Sequence, residues 1–186
     1  MDSKKYALHP WHGASVGKDA PFIVNAFIEI SKGSKAKFEI DKESGLVKLD
    51  RMLHAAVHYP VNYGFIPQTF ADDKDPLDIL VVCQVDLPPG ILCESRIIGM
   101  MEMIDKGETD HKLIAVANED PYFTNVDTWQ DLNPHFLKEI HDFFSTYKRL
   151  ELKPGQTVEV KEFLSKEIAI QTLENCIKQY KNEFDN

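Results

Sequence analysis

Phe22-Ile23-Val24-Asn25-Ala26-Phe27-Ile28-Glu29-Ile30 is the stretch on which the fold reading turns. Phe22, Val24, Ala26, Ile28 and Ile30 share one face of a two-residue repeat, and Asn25 and Glu29 fall on the other. Successive side chains of an extended chain point to opposite faces, so this pattern reads as a half-buried β-strand. Residues 31–35, with Gly33, break it. Ala36, Phe38 and Ile40 then alternate with Lys37, Glu39 and Asp41 in a second strand, whose polar face holds Lys37 and Glu39. Glu43-Ser44-Gly45 turns the chain into a third strand, residues 46–50, ending beside Arg51.

The apolar runs 79–83, 91–103 and 113–116 also read as strands, separated by Pro88-Pro89-Gly90 and by the polar loop 105–111. Beyond them the period changes. Asn133 and Pro134 form an N-cap and first-turn pair, and Phe136, Leu137, Ile140, Phe143, Phe144 and Tyr147 recur at helical spacing, predicting a helix from about Pro134 to Leu150. Residues 157–163 return to a strand. Ser165 then caps a second helix with the stripe Ala169, Leu173, Cys176, Ile177, Tyr180 and Phe184. Short strands followed by helices indicate an α+β protein, with a small closed barrel as the way to avoid long exposed edges. Residues 1–21 lack periodicity and read as an irregular arm on a single domain spanning 1–186. His9 and His12 in that arm read as packed or solvent-facing side chains, not metal ligands.

With 186 residues, 43% hydrophobic content, 11 Phe and 6 Tyr, the chain can bury a core. Its net charge of -9 disfavours nucleic acid or an anionic membrane as partner, since both need clustered positive charge. An anionic substrate would require local reversal by metals or by a Lys/Arg group. Cys83, Cys93 and Cys176 are widely spaced and read as reduced thiols of a cytoplasmic protein. No apolar segment approaches the roughly 20 residues of a membrane span.

Asp72-Asp73-Lys74-Asp75-Pro76-Leu77-Asp78 places four carboxylates within seven residues, and Pro76 stiffens the loop. Divalent cations would relieve the repulsion, and a solvated acidic loop is the equal alternative on this segment alone. An EF-hand register fails, because Asp78 stands where the sixth-position Gly belongs and Gln84 where the twelfth-position Glu belongs. The loop Asp105-Lys106-Gly107-Glu108-Thr109-Asp110-His111-Lys112 reads alone as a surface hairpin, and offers a second source of carboxylates. Lys37, Arg51, Tyr59, Tyr63, Lys112, Tyr147 and Lys148 are donors suited to phosphate, although each singly reads as a surface or packing residue.

Taken together, Ile28-Glu29-Ile30, Lys37 to Gly45, Asp50-Arg51, Tyr59-Pro60-Val61-Asn62-Tyr63-Gly64, Asp73-x-Asp75-Pro76-Leu77-Asp78, Asp105 with Asp110-x-Lys112, and Tyr147-Lys148 resemble the family I soluble inorganic pyrophosphatases. The resemblance implies a five-stranded OB-like β-barrel with flanking C-terminal helices and a site at its polar end. It implies Mg²⁺-dependent hydrolysis of pyrophosphate to two orthophosphates without a phosphoenzyme, with Mn²⁺ or Zn²⁺ able to substitute. By resemblance Asp73, Asp78 and Asp110 hold the ions that activate water, and Asp105 and Glu39 hold those arriving with substrate. Asp75 would be the general base. Lys37, Arg51, Lys112, Tyr147 and Lys148 would bind phosphoryl oxygens, with Tyr63 beside the water and Glu29 and Tyr59 in support. A homo-oligomer of the bacterial, hexameric kind is implied as well. Lys74, where the family has Gly or a small residue, and Lys106, where bacterial members often carry an acid, depart from the pattern. The rival class is a non-catalytic OB-fold module binding a polyanion, which would need aromatic platforms beside a basic groove.

Overall fold

The computed structural model describes residues 9–184; the first eight residues of the arm lie outside them. The strands are β1 (Ile23–Ile30), β2 (Ala36–Ile40), β3 (Val47–Met52), β4 (Asn62–Phe65), β5 (Asp78–Val82), β6 (Leu92–Asp105), β7 (Glu108–Thr109), β8 (Lys112–Ala117) and β9 (Val158–Leu164), and the helices are α1 (Pro134–Thr146) and α2 (Lys166–Phe184). β1 pairs with both β4 and β6, β4 with β5, β5 with β8, and β8 with β6, which closes a ring of five strands. Among the described residues, only the β5–β8 pairing is parallel. Closure removes the unpaired edges that an open sheet of this size would present. β6 runs on past the ring, where β9 and β7 pair with it, while β2 and β3 form a separate hairpin. This is the α+β, OB-like architecture the sequence predicts.

The first strand differs from its prediction. Val24, Ala26, Ile28 and Ile30 are buried as the alternation requires, yet Phe27 and Glu29 are buried too, and Phe22 precedes the strand and is 58% exposed. Opposite β4, Ile28 pairs with Gly64 and Ile30 with Tyr63, so Glu29 is the extra residue of a β-bulge. Its carboxylate turns to the β2–β3 hairpin and accepts the Ile40 N–H at 2.7 Å. β4 itself falls in Tyr59-Pro60-Val61-Asn62-Tyr63-Gly64, whose Pro, Asn and Gly carry turn chemistry and show no alternation. It can lie this close because Gly64 has no side chain: a Cβ there would sit 1.9 Å from the Phe27 carbonyl oxygen.

α1 begins as predicted, with Asn133 Oδ1 accepting the His135 N–H at 2.8 Å, but it stops at Thr146 with Tyr147 as its C-cap, short of the predicted Leu150. The ring wall separates two apolar clusters. Leu80, Val82, Ile114 and Val116 pack with Phe143, Phe144 and Tyr147 on the α1 side. Ile79, Val81, Leu113 and Ala115 pack with Leu173 and Cys176 of α2 on the other. Each fully buried Leu, Ile or Phe contributes about 1.5–3 kcal/mol, enough to hold both helices against the wall.

Candidate active site

Asp78 and Lys112 open β5 and β8 and are paired across the parallel ladder, while Tyr63 of β4 lies opposite Leu80. Period-two alternation therefore puts all three on the α1 side, in line with Leu80 and Ile114. Lys112 is 1% exposed. Its Nζ donates to Asp78 Oδ2 at 2.6 Å and to Asp110 Oδ1 at 2.8 Å, and the Tyr63 hydroxyl donates to the same Asp78 oxygen at 2.5 Å. Burial alone would neutralise Lys112, but Asp110 and Asp78 outweigh it and hold the ammonium charged, with its pKa well above the usual range.

The acidic loop is closed on itself. Ala71 N–H donates to the Asp75 carbonyl at 2.8 Å, Lys74 N–H to the Ala71 carbonyl at 3.0 Å, and Asp75 N–H to Asp73 Oδ1 at 3.0 Å. Lys74 takes a left-handed φ of +68° and is exposed, which accounts for the small residue usual there: the position asks for glycine geometry, and the lysine side chain turns away from the cleft. Lys106 likewise has φ +52°, followed by Gly107 at +89°, forming the two-residue turn between Asp105 and Glu108. Burial, reinforced by the charges of Asp78, Asp75 and Asp110, pushes the Asp73 carboxyl up to about 6.

Facing this loop is the hairpin. Lys37 Nζ lies 2.9 Å from Glu39 and 3.2 Å from Asp50. Arg51 bonds Asp50 and, through Nε at 2.6 Å, Glu151. Lys148 Nζ donates to Asp105 Oδ2 at 2.5 Å, and burial raises the pKa of the Tyr147 phenol, so it remains a proton donor. A cleft of about 650 Å³ brings together Asp73, Asp75, Asp78, Asp105 and Asp110 with Glu29, Lys37, Glu39, Tyr63, Lys112, Tyr147 and Lys148. Arg51 and Tyr59 do not line it. Arg51 stands behind Asp50, and the Tyr59 ring backs Tyr63, with ring centroids 5.7 Å apart.

Sequence reasoning missed Lys42, which forms an ion pair with Asp75, and also Asp50 and Glu151. Lys42 and Asp50 sit inside motifs already noted. Glu151 carries no signal beyond its closeness to Lys148.

Glu39, Asp75, Asp78, Asp105 and Asp110 are each paired with a lysine, and among the described residues no three potential metal ligands are already gathered. The donor chemistry nevertheless fits hard divalent cations. Asp105 Oδ1 is buried without a hydrogen-bond partner, Asp73 is raised by burial and, to a lesser extent, by the neighbouring carboxylates, and the cleft lining holds neither Cys nor His.

A closed five-strand barrel bearing a cleft where carboxylates alternate with lysines and buried phenols defines a class of proteins that handle small phosphate anions with metal ions. The family model described as inorganic pyrophosphatase matches residues 26–181. The chain is 45% identical over 180 residues to soluble inorganic pyrophosphatase 5 of Arabidopsis thaliana, covering 97% of this chain and 82% of that protein. Its structure is similar to the inorganic pyrophosphatase of Thermus thermophilus, with a TM-score of 0.89 and 40% identity, covering 92% of this chain and 99% of that one. It is also similar to the Helicobacter pylori pyrophosphatase, with a TM-score of 0.84 and 43% identity, covering 90% and 98% respectively. The chain belongs to the family I soluble inorganic pyrophosphatases.

Proposed function

We propose that the protein hydrolyses inorganic pyrophosphate to two orthophosphates by direct attack of water in this cleft. The observation that carries the reading is the buried Lys112 held between Asp78 and Asp110, with Asp73 and Asp75 on the adjoining loop and Lys37 and Lys148 on the surrounding walls. Asp73, Asp78 and Asp110 would hold Mg²⁺, and Asp105 and Glu39 the further ions that enter with substrate. When bound, these ions make water more acidic and offset the charge of the phosphoryl oxygens.

Everything else falls to the chain's own side chains. Asp75, on the stiffened loop, accepts the proton of the attacking water. Water oxygen bonds to one phosphorus while the bridging P–O bond breaks, and the electron pair leaves with the second phosphate. Lys37, Lys112 and Lys148 neutralise that phosphate, Tyr147 and Tyr63 donate hydrogen bonds without adding charge, and Arg51, outside the cleft and paired with Asp50 and Glu151, would join them only by releasing Asp50. Glu29 and Tyr59 keep the hairpin and the Tyr63 ring in place. No covalent phosphoenzyme is formed.

Mg²⁺ is the preferred ion on the all-oxygen donor set, with Mn²⁺ or Zn²⁺ able to substitute. The net charge of -9 disfavours nucleic acid or an anionic membrane surface as partner, and a small soluble anion in the cytoplasm as substrate is part of the same proposal. Assembly into a homo-oligomer, a hexamer by resemblance, belongs to the same proposal. Phosphate release from pyrophosphate with Mg²⁺, abolished by EDTA and absent with ATP, tests it. Binding of pyrophosphate without turnover would instead make the cleft that of a polyanion-binding module.

A further inference from the structure

We propose that His9-Pro10-Trp11-His12 is a positioning clasp that ties the β2–β3 hairpin to the loop entering Asp73–Asp78 and so sets the width of the cleft, an inference that rests on the proposed hydrolysis.

His9 is buried, and its Nε2 lies 3.1 Å from the Lys42 carbonyl oxygen. A carbonyl only accepts, so Nε2 carries the proton and Nδ1 is left as the acceptor for the Trp11 N–H at 3.3 Å. Gly45, at φ +74°, presses the hairpin turn on the same rings: a Cβ there would lie 2.9 Å from both His9 Cδ2 and Pro10 Cδ. Trp11 grips the other wall. Its indole N–H donates to the Thr69 carbonyl at 2.8 Å, and its own carbonyl accepts the Gln68 N–H at 2.9 Å. Thr69 Oγ1 in turn accepts the Leu77 N–H at 2.8 Å, one residue before Asp78.

The segment is itself anchored to α2. The His12 Nδ1 and the Tyr180 hydroxyl are 2.7 Å apart, and the Phe184 ring meets the Trp11 ring edge-on at 5.6 Å. On the hairpin side, the residue gripped by His9 is Lys42, whose ammonium pairs with Asp75. The binding groups for a small polyanion sit on two elements that share no strand pairing in this region. Affinity then depends on whatever prevents the two from parting.

The test compares His9→Ala, His9→Gln and Trp11→Phe with the intact protein by steady-state kinetics and by amide hydrogen exchange at Gly45 and Gln68. A misplacement approaching 1 Å between the walls raises the KM for pyrophosphate about tenfold. His9→Gln, which keeps an N–H near the Nε2 position, restores most of it. Exchange at the Gly45 amide in His9→Ala, and at the Gln68 amide in Trp11→Phe, becomes faster. A segment that only adds stability would lower the melting temperature and leave KM alone. That result, or unchanged exchange at both amides, overturns the clasp. If His9→Ala does not fold, Trp11→Phe decides by the same two readings. An intact protein that releases no phosphate overturns the functional proposal, and hydrogen exchange still reads the clasp.

Discussion

Lys112 is a buried cation shared by two carboxylates. Replacing it with Met leaves Asp78 and Asp110 without that partner, and we expect a loss of about 3–5 kcal/mol, read as a lower urea midpoint. Glu29 acts in the opposite sense. Burial first, and then the charge of Asp78, push its carboxyl up to about 8, against the Ile40 N–H bond that favours the ionised form. The folded state thus keeps a proton that the unfolded chain gives up near 4.5, so the contribution is full below that pH and is lost as pH rises through about 8. The metal-free protein should therefore lose stability between about pH 5 and pH 8. Glu29→Gln should flatten the upper part of that slope; an unchanged slope would show that Glu29 is not the titrating group. At Lys74 the left-handed backbone makes Lys74→Gly stabilising by up to about 1 kcal/mol, measured by denaturant unfolding. Most of these acids and bases could be named from the sequence, because their types recur in a recognisable order. Glu151 could not: its tie to Arg51 crosses 100 positions of chain and leaves no local pattern.

At the scale of the element, two β-bulges do what no periodicity shows. Glu29 is the extra residue between β1 and β4, and Asp50 the extra residue between β2 and β3, where Lys37 pairs with Arg51 but Phe38 with Leu49. Each bulge aims a carboxylate at the hairpin's working groups, Glu29 at the Ile40 amide and Asp50 at both Lys37 and Arg51. The strands on either side were legible from alternation, but a bulge is an interruption of register and appears only once the partner strand is known. β4 was missed for a related reason: four residues containing an Asn and a Gly carry turn chemistry, and only close packing on β1 makes them a strand. Gly64→Ala tests that packing. The new methyl would strike the Phe27 backbone, and we expect at least about 3 kcal/mol of destabilisation, seen as a lower melting temperature or as insoluble protein.

The whole molecule has to bring a polyanion to an acidic chain of net charge -9, which requires that the carboxylates collect cations first. Its stability should therefore respond to Mg²⁺. Binding to the folded state alone adds about 2.7 kcal/mol at about a hundredfold excess over the dissociation constant, so the melting temperature should climb as Mg²⁺ is titrated in. Ca²⁺ and Mg²⁺ can be compared in the same experiment to read the ion preference of the site. Most of the barrel's strands and the two helical covers follow from patterning that the sequence displays openly; the order in which the strands pair around the ring does not, since β4 shows no alternation, and nor does the way the hairpin and the acidic loop are set face to face, because that depends on the arm's contacts. The most direct measurement is phosphate release from pyrophosphate with Mg²⁺ by the intact protein and by Asp75→Asn. Loss of the proton acceptor should lower kcat by about a hundredfold or more while the fold and Mg²⁺ response persist. An Asp75→Asn protein as active as the intact one would contradict the account.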